Sequence, residues 1–116
     1  MDMEKVTGDE LNQAAMQIIM LAGDGRNLLT EAVKSVMGNA SEEETDEKLR
    51  QAKEKIVEAH RIQTKMIQDT IEDEELQTTL LFSHAQDTLM TIYSELNMTG
   101  HIISMYRKLS DKIDTK

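Results

Sequence analysis

The chain has 116 residues, and its 13 Lys and Arg against 22 Asp and Glu give a formal net charge of −9. This length fits one domain spanning residues 1–116. The acidic balance argues against nucleic acids and anionic membrane surfaces, because Lys and Arg supply most of the affinity for phosphates. The absence of cysteine excludes disulfides, thiol catalysis and Cys-ligated zinc. With no proline and five glycines the chain is poor in turn-forming residues, so we predict an all-α fold of a few long helices.

The first predicted helix covers about residues 7–37. Thr7 and Glu10 have the spacing of a capping box, which fixes the start of a helix. Gly23 and Gly25 interrupt the helix at a cost of about 1 kcal/mol each relative to alanine. We interpret them as a place of close helix packing or a kink, with the approach of another chain as the alternative. The apolar residues that recur at intervals of three and four, as in an amphipathic helix, are Leu11, Ala14, Ala15, Ile18, Leu21, Ala22, Leu28, Leu29, Ala32, Val33 and Val36.

The second predicted helix covers about residues 42–68 and follows a break at residues 38–41. Gly38 is predicted to end the first helix because glycine tolerates a positive φ. Ser41 and Glu44 form a second capping box at the start of the second helix. The residues predicted to face inward are Leu49, Ala52, Ile56, Ala59, His60, Gln63, Met66 and Ile67.

The third predicted helix covers about residues 76–113 and follows an acidic run at residues 72–75, where the apolar period lapses. Three long helices with short connections predict an antiparallel three-helix bundle of up-down-up topology. The apolar stripe of the third helix consists of Leu80, Leu81, Ala85, Leu89, Ile92, Leu96, Ile102, Ile103, Tyr106 and Leu109.

No segment has the character of a membrane-spanning helix. The most apolar stretch, residues 14–22, is interrupted by Gln17 and is far shorter than the ~20 residues that a bilayer requires. Acidic residues precede that stretch, whereas a signal peptide begins with basic ones. We therefore expect a cytoplasmic protein without direct membrane insertion.

Two polar residues of the third helix are candidates for a functional site, because they lie in its most apolar part, residues 80–90. At about 100° per residue, His84 and Asp87 are about 60° apart on the helix surface. An unpaired carboxylate is costly to bury, so Asp87 requires a partner, a cation or an exposure that the pattern of one subunit does not reveal. The alternative is a solvated aspartate beside a histidine that is either on the surface or has its hydrogen bonds satisfied. We interpret His60 and His101 in the same way.

The residue types present exclude several other kinds of site. The sequence has no Glu-x-x-His pair of the kind that di-iron bundles require, and no Gly-rich loop before a helix that could hold nucleotide phosphates. Ser83 points about 100° away from His84, which argues against a Ser–His–Asp triad. The remaining chemistry is His84 as a nucleophile, since a neutral imidazole attacks phosphorus near pH 7 and passes the phosphoryl group on.

Three segments of the chain resemble one known family. Residues 84–91 read His-Ala-Gln-Asp-Thr-Leu-Met-Thr, residues 58–65 read Glu-Ala-His-Arg-Ile-Gln-Thr-Lys, and residues 18–29 place small residues before Arg26. These segments closely resemble the enzyme IIA proteins of the lactose/cellobiose class, which belong to the bacterial phosphoenolpyruvate-dependent sugar phosphotransferase system. The resemblance includes the family patterns His-Ala-Gln-Asp-x-Leu-Met-Thr and Glu-Ala-His-x-x-Gln-Thr. One departure is Thr88, which stands where many members have a second histidine.

The resemblance carries expectations about assembly and site residues. It implies three antiparallel helices per subunit and a homotrimer, which is a trimer of bundles. It implies that His84 is the phosphoryl acceptor and that Asp87 of each subunit is a metal ligand near the trimer axis. Three carboxylates on an axis repel one another, and one Mg²⁺ per trimer would offset that repulsion.

The resemblance also implies a function and its partners. The chain would accept a phosphoryl group from the carrier protein HPr and pass it to a cysteine of the cognate IIB component. The membrane component IIC would then import a disaccharide of the lactose/cellobiose type as IIB phosphorylates it. The alternative is a non-catalytic helical adaptor or a diverged regulatory homologue.

Overall fold

A computed structural model describes residues 6–71 and 78–114 of the chain. It contains three helices, α1 (Gly8–Met37), α2 (Glu42–Thr70) and α3 (Leu80–Asp114), and no strand within the described residues. The prediction of an all-α, three-helix chain is therefore confirmed. The predicted acidic break at residues 72–75 and the first two residues of the third predicted helix, 76–77, lie outside the described residues.

The helices alternate in direction, with α1 packed against both of the others. Lys48 on α2 pairs with Glu31 on α1 at 3.4 Å, while the Ser35 and Thr45 hydroxyl oxygens lie 2.6 Å apart. The residue numbers of these pairs rise on one helix as they fall on the other, which is the signature of antiparallel neighbours. Between α1 and α3 the numbers rise together, since a Cβ on Gly8 would lie 4.0 Å from Cγ2 of Thr79, just before α3, and Arg26 pairs with Glu95 at 2.8 Å. The topology is therefore up-down-up, and α1 and α3 run in the same direction.

Hydroxyl side chains fix the starts of the first two helices, as the capping boxes predict. The Thr7 hydroxyl accepts a hydrogen bond from the Glu10 backbone N–H at 3.1 Å, and the Ser41 hydroxyl accepts one from the Glu44 N–H at 3.2 Å. Each bond satisfies one of the backbone donors that the first helical turn leaves without an intrahelical partner.

The end of α1 differs in detail from the sequence prediction. Gly38 is the C-cap, but its φ is −88°, and the positive φ of 59° belongs to Asn39. The Asn39 N–H donates to the Val36 carbonyl at 3.1 Å and the Ala40 N–H donates to the Ser35 carbonyl at 2.9 Å. This pair of bonds defines a Schellman motif, in which the residue after the C-cap takes the left-handed conformation. Asparagine is tolerated there because its short polar side chain lowers the steric cost.

Aliphatic side chains and alanines from all three helices form the core, with Phe82 as its one aromatic member among the described residues. The prediction is wrong for His60 and Ile67 of α2, which are exposed although their spacing placed them inward. The residues of the core cluster are Val6, Leu11, Ala14, Ala15, Ile18, Ala22, Leu29, Ala52, Ile56, Ala59, Phe82, Ala85, Leu89 and Ile92.

The glycines inside the helices have different surroundings. A Cβ placed on Gly25 would lie 2.7 Å from Cγ1 of Ile56 and 3.3 Å from the Ala52 carbonyl oxygen, so α1 and α2 approach closely here. A Cβ on Gly23 or Gly100 would meet nothing within 4 Å. The interpretation of close helix packing is therefore confirmed for Gly25, while the subunit gives Gly23 no such contact.

We predict opposite effects for alanine at two of these glycines. Gly25→Ala should destabilise the fold relative to Gly100→Ala by about 1–3 kcal/mol, because overpacking a close helix contact forces its neighbours apart. Gly100→Ala should raise stability by up to about 1 kcal/mol through helix propensity alone. Urea unfolding followed by circular dichroism measures both, and equal midpoints for the two variants would contradict the close contact.

Candidate functional site

His84 and Asp87 lie side by side in the second and third turns of α3, and both side chains are exposed in the subunit. Within the described residues, neither side chain has a hydrogen bond or an ion pair. Of the three outcomes that the sequence left open for Asp87, the subunit therefore shows exposure. Both groups are accessible to a second molecule.

The core fixes the direction in which these two side chains point. Ala85 and Leu89 are fully buried on the opposite side of α3, and they hold the helix in one rotation about its axis. The Thr91 hydroxyl donates to the Asp87 carbonyl oxygen at 2.9 Å, so it bonds to the backbone and leaves the Asp87 carboxylate free. His84 and Asp87 are thus presented outward by a rigid helix rather than by a loop.

The outward side of α3 is unusually apolar for a surface. Large hydrophobic side chains share this side of the helix with Asp87 and Thr91. Counted at about 100° per residue, they lie within about 60° of Asp87 around the helix axis. Three of them, Leu80, Ile102 and Leu109, belong to the apolar stripe of the third predicted helix, and the structure shows that they do not face the core of the subunit. These exposed residues, which we call the outer stripe, are Leu80, Met98, Ile102, Met105 and Leu109, with exposed fractions of 88%, 55%, 59%, 70% and 61%.

A charged pair joins α1 and α3 beside the outer stripe. The Arg26 guanidinium donates to both carboxylate oxygens of Glu95, from Nε at 2.8 Å and from Nη2 at 3.0 Å. This hydrogen bonding raises the pKa of Arg26 above its ordinary value. A bidentate pair fixes the relative position of two helices more strictly than a single contact does. Sequence reasoning noted Arg26 as part of a family segment but did not pair it with Glu95.

His60 and Gln63, the other polar residues of the predicted inward stripe, do not lie beside His84. The His60 ring on α2 lies 6.2 Å from the Tyr93 ring, and its Nδ1 is 3.4 Å from the Thr64 hydroxyl oxygen. Tyr93 is nine residues after His84, about 180° around α3, so His60 is on another side of the bundle. Gln63 is buried, and its Oε1 has no hydrogen-bond partner within the described residues.

The described residues of one chain do not by themselves assemble a set of metal ligands. No group of three or more His, Cys, Asp or Glu side chains that could hold a metal ion occurs within residues 6–71 and 78–114. Over the same part of the chain, no helix is long and apolar enough to cross a bilayer.

Comparison with known proteins identifies the family. A sequence profile described as "PTS system, Lactose/Cellobiose specific IIA subunit" matches residues 13–107. The lichenan-specific phosphotransferase enzyme IIA component of Bacillus subtilis (strain 168) is 36% identical over 104 residues, covering 90% of this chain and 94% of that protein. The lactose-specific EIIA component of Lactococcus lactis subsp. lactis is 32% identical over 100 residues, covering 86% and 94%.

Solved structures agree with this assignment. The cellobiose-specific enzyme IIA from Bacillus anthracis superposes with a TM-score of 0.79 at 34% identity, covering 92% of this chain and 95% of that one. PtcA from S. mutans superposes with a TM-score of 0.81 at 26% identity, covering 88% and 99%. The helical fold and these sequence matches together define the class of protein, which is a phosphotransfer component of the sugar phosphotransferase system. The chain belongs to its lactose/cellobiose-specific IIA family.

Proposed function

We propose that the chain is a phosphohistidine carrier that accepts a phosphoryl group from HPr on His84 and passes it to the cognate IIB component. The observation that carries the proposal is the exposed His84 ring, without an intramolecular partner in the described residues, at the start of the family segment His-Ala-Gln-Asp. A histidine ring buried in the core would not be accessible to two different partner proteins in turn.

The transfer is a pair of displacements at phosphorus. An unprotonated ring nitrogen of His84 attacks the phosphoryl group of HPr, and a P–N bond forms as the bond to the donor breaks. A cysteine thiolate of IIB then attacks the same phosphorus, and the electron pair of the P–N bond returns to the imidazole. The residue contributes nucleophilicity near neutral pH, and α3 contributes a fixed direction of approach.

The subunit acts as a homotrimer in this proposal, with the outer stripe as its main interface. An unpartnered apolar side on one helix is typical of a protein–protein interface rather than of a free surface. A three-fold arrangement of α3 helices buries the outer stripe of all three copies at once. The same rotation brings three Asp87 carboxylates together near the axis.

We predict that Met105→Lys converts the trimer into monomers. Met105 is 70% exposed in the subunit, so lysine there leaves the subunit's fold intact but places three ammonium groups at the proposed interface. Analytical ultracentrifugation at micromolar concentration measures the mass. Met20→Lys is the matched control, since Met20 is 65% exposed on α1, away from the outer stripe, and should leave the trimer unchanged. A wild-type mass of one subunit would refute the trimer itself.

Asp87 is the proposed metal ligand, and the donor set fits a hard cation. The exposed carboxylate has no partner within the described residues and lies on the side that three subunits would share. Three such carboxylates supply the oxygen ligands that Mg²⁺ prefers. A bound Mg²⁺ would supply positive charge that offsets their mutual repulsion. His84 needs no bond to this ion for the transfer.

Mass spectrometry tests the carrier proposal directly. The chain is incubated with phosphoenolpyruvate, enzyme I and HPr, and a carrier gains one acid-labile phosphate per subunit. A non-catalytic adaptor or a regulatory homologue gains none, and that outcome would replace the proposal. Subsequent addition of IIB should remove the phosphate. We place the protein in the cytoplasm. There it would serve the uptake of a disaccharide of the lactose/cellobiose type, which a membrane IIC component imports.

A further inference from the structure

His101 lies on the same outward side of α3 as Asp87. It comes 14 residues after Asp87, which is twice an interval of seven. It is exposed, and within the described residues its ring has no hydrogen bond or ion pair. Asp87, Ser94 and His101 follow one another at intervals of seven residues. An interval of seven is the repeat that keeps side chains on one side of associating helices.

The spacing determines where His101 lies in a trimer. Fourteen residues of a straight helix turn through about 1,400°, which leaves His101 about 40° from Asp87. In a left-handed supercoil with about 3.5 residues per turn, the two positions coincide. In a trimer whose α3 helices supercoil in this way, His101 faces the three-fold axis together with Asp87, about 21 Å further along α3. This step rests on the trimer of the proposed function.

The neighbours of His101 determine its environment in that trimer. Met98 and Met105 lie about one turn before and after it, and their exposed fractions in the subunit are 55% and 70%. Three copies of each methionine would form apolar layers above and below the three imidazoles, and such layers would shield the site between them from bulk solvent. Lys108 is the next residue of the same spacing, and its long side chain can carry its charge away from the axis toward solvent.

We propose that the three His101 imidazoles of the trimer form a second axial site, which binds a divalent transition-metal ion such as Zn²⁺. Imidazole nitrogens are preferred ligands for zinc, and three histidines with one water molecule make a complete tetrahedral set. Carboxylates at Asp87 suit a hard cation instead. The trimer thus holds two axial sites of different metal preference, one of oxygen donors and one of nitrogen donors.

Zinc binding to the purified full-length trimer tests the site. Isothermal titration with Zn²⁺ at pH 7.5 uses the Asp87→Leu background, which removes the carboxylate site. We expect one Zn²⁺ per three chains, with affinity reduced at least tenfold by His101→Gln and unchanged by the matched control His60→Gln. Substitution with Co²⁺ should give the visible absorption of a four-coordinate ion, which His101→Gln should abolish.

Three results would overturn the inference and leave His84 as the phosphoryl acceptor. The first is a trimer by ultracentrifugation that binds no Zn²⁺, or binds it equally well after His101→Gln. The second is one Zn²⁺ per chain that is lost with His84→Gln rather than with His101→Gln. A wild-type protein that sediments as a monomer while still accepting phosphate would refute the axial site and the trimer together, but leave His84 as the acceptor.

Discussion

Replacing His84 by alanine should abolish phosphoryl transfer while leaving the fold unchanged. The substitution removes the one ring that the family segment aligns with the phosphoryl acceptor. Because the His84 side chain is exposed and without a partner in the described residues, its removal should change the free energy of unfolding by no more than about 0.5 kcal/mol. Mass spectrometry after incubation with phosphoenolpyruvate, enzyme I and HPr should then show no phosphate on the variant.

His60→Ala is the matched control for this experiment, since His60 is also an exposed helical histidine. It should accept one phosphate at the wild-type rate, because its ring lies beside Tyr93 on another side of the bundle. Phosphate that persists on His84→Ala, or that moves to His60, would show that the acceptor is assigned wrongly. Thermal unfolding of all three proteins by circular dichroism separates loss of the acceptor from loss of the fold.

Replacing Asp87 by leucine should leave the trimer at least as stable as the wild type and independent of Mg²⁺. The substitution removes three like charges from one axis, where they repel strongly once water is excluded. It replaces them with apolar side chains, a change that is often stabilising when buried ionic clusters are exchanged for packed hydrophobic residues. The wild type should instead lose thermal stability when EDTA removes its cation.

The measurement is thermal unfolding of both proteins with and without EDTA, followed by sedimentation to check their mass. Asp87→Asn is a useful third sample, because it removes the charge and keeps nearly the same shape, so it too should ignore EDTA. The axial assignment fails if Asp87→Leu dissociates into monomers while the wild type is indifferent to EDTA. Asp87 would then serve the subunit by a specific interaction of its own.

The sequence by itself was sufficient for the fold class and for the candidate residues. Helix starts were predictable at Thr7 and Ser41 because a capping bond forms within four residues of chain and needs no tertiary contact. The apolar period identified most of the core for the same reason, since helical spacing alone decides which residues share one side. The segment at residues 84–91 by itself identifies His84 and Asp87 as candidate residues, and their roles are proposals for experiment to test.

Tertiary structure decided the features that depend on two helices at once. The close contact of Gly25 with Ile56 and the pairing of Arg26 with Glu95, 69 residues apart, follow from the relative placement of helices, which no local pattern records. Periodicity also failed on α3, because an apolar residue has the same spacing whether it faces the core of its own subunit or lies open on the surface. Met105 and its neighbours are exposed because α1 and α2 cover just one side of α3. Burial depends on how the helices pack against one another. The sequence therefore shows which residues are apolar, but only the packing of the helices determines which of them stay exposed.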